Sequence, residues 1–154
     1  MMNEKLYVAK EIQCLVGRYL QTEVNSFYTD IQEWNELQES LSKKMSMLIG
    51  VEGDSPTEEA EFILAILMGY TIFLRNPRHI NNALKRAERI LPLLENGILK
   101  CHLAVFCYGE CYDDGLAVLA QRLINESKQK GNGEEIRHVE QLFESMKENS
   151  GITY

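Results

Sequence analysis

Cys101, His102, Cys107 and Cys111 place four metal-capable or redox-capable side chains within one short stretch of the 154-residue chain. Zinc accepts thiolate and imidazole ligands in this combination, and an activated thiolate is a nucleophile. The spacing argues against both. No Cys-x-x-Cys pair occurs, and on a helix Cys101 and Cys107 stand about 600° apart, on different faces. The surroundings supply no obvious cation to lower a thiol pKa. Cysteine packs as a small hydrophobe and is among the most buried residue types, so these thiols read as core. His102, set among Leu103, Val105 and Phe106, reads as a histidine bonded to a backbone carbonyl. The chain has no Gly-x-Ser-x-Gly, no His-Glu-x-x-His, no phosphate-cradling glycine loop and no dinucleotide fingerprint. No catalytic residue, metal or cofactor is expected, and the chain is not read as an enzyme.

The elements that carry this stretch follow from hydrophobic periodicity. Leu6, Ala9, Ile12, Leu15 or Val16, and Tyr19 mark one face of a helix over about residues 3–20. Thr29, with Gln32 three residues on, reads as the cap of a helix over about 30–47, whose narrow apolar seam includes Trp34. Ser55-Pro56-Thr57-Glu58 is a capping box with proline in the first helical position. Glu58, Glu59 and Glu61 suit the positive end of that helix. The helix then runs through Phe62 to Leu74, apolar all round, and is expected to be central, at about 56–75. Gly69 within it predicts close approach of another helix. Asn76-Pro77 starts the next helix, which Pro92 ends or kinks near Leu91. A short buried helix from Ile98 to Tyr108 follows. Gly109 to Asp113 is expected to turn, and Asp113 or Asp114 to cap a helix reaching about Gln129. A last helix spans about 134–148 and buries Ile136, Val139, Leu142 or Phe143, and Met146. The expected fold is an all-α, single-domain bundle of six to seven helices over residues 1–154, with 149–154 as a flexible tail.

Charge narrows the partners. The net charge is −7, which disfavours nucleic-acid binding, since that needs a basic footprint. The distribution is uneven: residues 77–100 carry five basic and two acidic groups, and residues 101–115 three acids and no base. The longest nearly unbroken apolar run, thirteen residues from Phe62 to Leu74, is shorter than the roughly 17–25 a membrane span needs. With no leader segment visible, a cytoplasmic protein with reduced cysteines is expected.

Two surfaces are candidates for binding a protein. The first is the exposed part of the corner, Glu110, Tyr112, Asp113 and Asp114, where an aromatic ring stands beside charge as interface anchors do. The competing reading is a capped, tyrosine-plugged turn. The second is the basic face of the helix after Pro77, where Arg78, Lys85 and Arg89 align and Arg86 lies beside them. A solvated helix face competes with it.

The stretch Leu103-Ala-Val-Phe-Cys-Tyr-Gly-Glu-Cys-Tyr-Asp-Asp-Gly-Leu-Ala117 resembles the signature of the UpxZ family, Leu-Leu-x-Tyr-Cys-Tyr-Gly-Glu-x-[Tyr/Phe]-Asp-Glu-x-Leu-Ala. Glu58-Glu59-Ala60 with Leu64 to Tyr70 is similar to that family's central-helix motif, as is Tyr28-Thr29-Asp30 with the helix that follows. The resemblance spans about residues 25–130. It departs at Asp114-Gly115, where two acids are expected, and in the charge between Arg78 and Arg89, both surface positions of the kind that set specificity. The resemblance implies a regulator encoded in capsular polysaccharide operons of Bacteroides-type gut bacteria. Such a regulator antagonises NusG-like UpxY antitermination factors of other capsule loci. A helical scaffold of capsule biosynthesis without a regulatory role is the alternative.

Overall fold

The computed structural model describes residues 4–21 and 31–150. Seven α-helices stand among them, with no strand: α1 (Glu4–Gln21), α2 (Ile31–Ser46), α3 (Pro56–Ile72), α4 (Pro77–Ile90), α5 (Ile98–Cys111), α6 (Asp114–Gln129) and α7 (Gly133–Ser150). The all-α expectation holds. The expected cap at Thr29 lies outside the described residues. So do residues 151–154 of the expected tail; Asn149 and Ser150 close α7. The chain divides into two compact units, residues 1–86 and 87–154, with the boundary inside α4.

In the first unit α1, α2 and α3 pack against one another. Every residue of α3 from Ala60 to Tyr70 is buried, as a helix apolar all round requires. Burying side chains such as Phe62, Ile63 or Leu67 completely stabilises the unit by roughly 1.5–3 kcal/mol each. The start of α3 is fixed as expected: the Ser55 hydroxyl accepts the Glu58 N–H at 3.1 Å, with Pro56 in the first turn. Glu58 reaches back one residue further than a standard capping box, accepting the Asp54 N–H at 3.1 Å.

The other two acids of this helix have more than its positive end for company. Glu61 is buried and takes Lys10 Nζ and Gln13 Nε2 of α1, each at 2.8 Å. Glu59 faces Arg86 at 2.7 Å. The close approach predicted at Gly69 is that of Met45 from α2, whose thioether occupies the space a Cβ would need. Tyr19, Trp34 and Phe73 pack ring on ring, with centroids 4.7–6.0 Å apart.

Asn76 caps α4, its side-chain oxygen accepting the His79 N–H at 3.1 Å. Ile80, Ala83, Ala87 and Ile90 are its buried stripe. Pro92 cannot continue the α-helix, and the chain passes into a 3₁₀ turn, Leu91–Leu93.

In the second unit α5, α6 and α7 pack pairwise. This unit has an apolar helix of its own: in α5, Cys101 and every residue from Leu103 to Tyr108 are buried. Ile136, Val139, Phe143 and Met146 are buried along α7, the stripe read from the sequence. The turn is shorter than expected. Gly109 is helical, and α5 continues to Cys111. The reason is packing: the Met146 thioether sits 2.7–2.8 Å from where a Gly109 Cβ would stand, so the glycine serves helix contact and not chain reversal.

Candidate protein-binding surfaces

The corner between α5 and α6 is reduced to Tyr112 and Asp113. A tight reversal after a helix favours a left-handed residue, usually glycine. Here Tyr112 takes that role, with φ 53° and ψ 33°, and its N–H donates to the Tyr108 carbonyl at 2.7 Å. Among the described residues it alone, glycines aside, has positive φ. Such a conformation costs on the order of 1 kcal/mol in a non-glycine residue. The Tyr112 ring meets the buried Tyr108 edge-on, centroids 5.5 Å apart, and Tyr108 in turn meets Phe143 at 5.5 Å. Those contacts offset the strain, yet Tyr112 keeps 37% of its surface open to solvent.

Asp113 is the N-cap of α6. Its Oδ1 accepts the N–H groups of Gly115 at 2.8 Å and Leu116 at 3.3 Å. Asp114 is exposed in the first turn, and Glu110 is half-buried at the end of α5. The sequence-based candidates Glu110, Tyr112, Asp113 and Asp114 therefore converge at one corner, and two of them, Tyr112 and Asp113, also build it. One residue joins them that sequence reading passed over. Val118 lies one turn beyond Asp114 on the same face of α6 and is exposed. Its place outside the stripe of Leu116, Leu119 or Ala120, Leu123 and Ile124 was the available signal.

The nearby thiols are held as thiols. Cys101 Sγ points at the Ala120 carbonyl, 3.7 Å away, and Cys111 Sγ donates to the Cys107 carbonyl at 3.0 Å. Burial pushes both Cys101 and Cys107 up to about 12. Cys111 is raised too, by burial first and then by the negative charges of Asp113, Glu110 and Glu88. Metals and electrophiles need thiolates, and this setting opposes their formation. The His102 ring packs 5.4 Å from that of Phe106. No group of three or more His, Cys, Asp or Glu side chains converges to hold a metal among the described residues.

The basic candidates on α4 separate. Arg78, Lys85 and Arg89 are exposed, and helical spacing sets them in one line. Arg86 leaves that surface: its guanidinium turns to Glu59 and to the Val51 carbonyl.

Residues 9–109 match the family model for the UpxZ family of transcription anti-terminator antagonists. The fold is similar to the crystal structure of a transcription anti-terminator antagonist UpxZ from Bacteroides uniformis. The two share 26% sequence identity with a TM-score of 0.81, over 96% of this chain and 95% of that one. A comparison with curated proteins gives no match. No helix among the described residues is long and apolar enough to cross a membrane.

Proposed function

Because the chain belongs to the UpxZ family of transcription anti-terminator antagonists, we propose that its targets are NusG-like antitermination factors of the UpxY type from non-cognate capsule loci. Binding them in the cytoplasm limits transcription of capsular polysaccharide operons. The observation that carries this reading is the family match over residues 9–109, which reaches from α1 to the last turn of α5. The corner supports it with a suitable surface: the strained, part-exposed Tyr112 stands beside Asp113, Asp114 and Val118. Tyrosine is among the residue types enriched at the energetic hot spots of protein interfaces.

The test is a pull-down of the purified chain against several non-cognate UpxY-type factors, paired with an in vitro elongation assay on a capsule operon template. Stoichiometric capture together with loss of antitermination is expected. Failure to capture any factor, or capture without an effect on elongation, overturns the proposal.

A further inference from the structure

Lysines and arginines of several helices among the described residues are engaged in ion pairs, Lys10, Lys44, Arg86 and Lys128 among them. Arg78, Lys85 and Arg89 are not: among the described residues none of the three has a hydrogen-bond or ion-pair partner. They are exposed and follow one another along α4 at about 10.5 and 6 Å of helix rise. The line they form lies opposite the buried stripe of Ile80, Ala83, Ala87 and Ile90. Exposed Asn82 lies within it, and exposed Glu88 flanks it. In a chain of net charge −7, three aligned cations that are unpaired among the described residues form a basic line on an acidic protein.

We infer that this face of α4 docks an acidic helix of a protein partner, one with carboxylates spaced by one and two helical turns. The spacing of the cations matches carboxylates at i, i+4 and i+11 on such a helix. A polyanionic nucleic acid is the poorer occupant. The line carries no aromatic side chain on which a base could stack, and the net negative charge repels a long phosphate backbone. The three cations add on-rate and partner choice more than affinity, as exposed complementary charges do. This inference rests on the reading of the chain as a protein-binding antagonist and assigns that binding a second contact surface.

Fluorescence anisotropy of the full chain with a labelled helical peptide tests it. One peptide bears glutamates at i, i+4 and i+11, a control has glutamine there, and a third probe is single-stranded RNA. The chain is expected to prefer the glutamate peptide, with affinity falling as salt rises. The Arg78→Gln/Lys85→Gln/Arg89→Gln variant is expected to lose about tenfold with an unchanged melting curve. Equal binding by that variant, or tighter binding of RNA than of the peptide, overturns the inference. The same variant tested against a captured UpxY-type factor separates the two proposals. Undiminished capture removes the α4 surface and leaves the function standing. A chain that binds the glutamate peptide but no factor does the reverse.

Discussion

Arg86 grips Glu59 with two prongs. Its Nε reaches Oε2 at 3.0 Å and its Nη2 reaches Oε1 at 2.7 Å, with 14% and 15% of the two side chains exposed. The pair also fastens the loop before α3. Arg86 Nη2 donates to the Val51 carbonyl at 2.7 Å, and Glu59 Oε1 accepts the Gly53 N–H at 2.9 Å. Gly53 lies so close to the first turn of α3 that a Cβ there would overlap the Glu59 backbone. A bidentate, mostly desolvated pair of this kind belongs to the strong class of ionic contacts.

Removing one partner leaves the other charge buried without its counter-charge. Arg86→Met or Glu59→Gln should therefore each cost about 2–4 kcal/mol in urea unfolding. Replacing both, as Arg86→Met/Glu59→Leu, should recover much of that loss. Strictly additive losses in the double-mutant cycle would show that the two side chains act independently.

How far the sequence spoke can be judged at these residues. Helix starts were legible because their signals are local: Ser55-Pro56 and Asn76-Pro77 cap α3 and α4 as their chemistry dictates. Gly69 announced a close neighbour, and the neighbour is Met45. What failed was tertiary. Arg86 follows Lys85 in a basic run, and nothing nearby in sequence reveals that Glu59, 27 residues away, claims it. Gly109 looked like a turn because glycine serves reversals and close packing alike; only the placement of Met146 distinguishes them. The corner residues were found by type, but not that a tyrosine occupies the left-handed position.

The two adjacent aspartates of the corner should come apart on mutation. Asp113 accepts two backbone N–H groups that open α6, so Asp113→Ala should lower stability by about 1 kcal/mol. Asp114 is exposed in the first turn of α6, where its carboxylate favours the positive helix end but does not cap it. Asp114→Ala should shift the melting midpoint less and weaken partner binding more. Thermal melts and a binding titration of the two variants check the split; equal stability losses would contradict it.

The buried thiols predict an alkaline limit. Cys101 and Cys107 are pushed from 9.0 to about 12 in the folded chain. Above pH 9 the unfolded chain releases these protons and the folded chain keeps them, so stability is full below about pH 9 and falls as pH rises toward 12. Each thiol contributes a slope on the order of 1 kcal/mol per pH unit. In urea titrations between pH 8 and 11, Cys101→Ala/Cys107→Ala should flatten that slope while lowering stability at pH 7. An unchanged slope would mean that the thiols do not govern it.

Tyr112 allows fold and function to be measured separately. Its left-handed backbone is strained for tyrosine and free for glycine, so Tyr112→Gly gains about 1 kcal/mol of relieved strain. The same change loses the edge-on contact with Tyr108, a loss of about 0.5–1.5 kcal/mol. Burial of the rest of the side chain is lost as well, so the relieved strain offsets only part of the loss and the melting midpoint should fall modestly. Tyr112→Ala keeps the strain and loses the ring, so it should be the less stable of the two. If the exposed third of the ring anchors the antagonist on its target, both variants should lose capture of the antitermination factor to a similar degree despite their different stabilities. Capture that tracks stability instead, better kept in Tyr112→Gly than in Tyr112→Ala, would assign the ring to holding the corner alone.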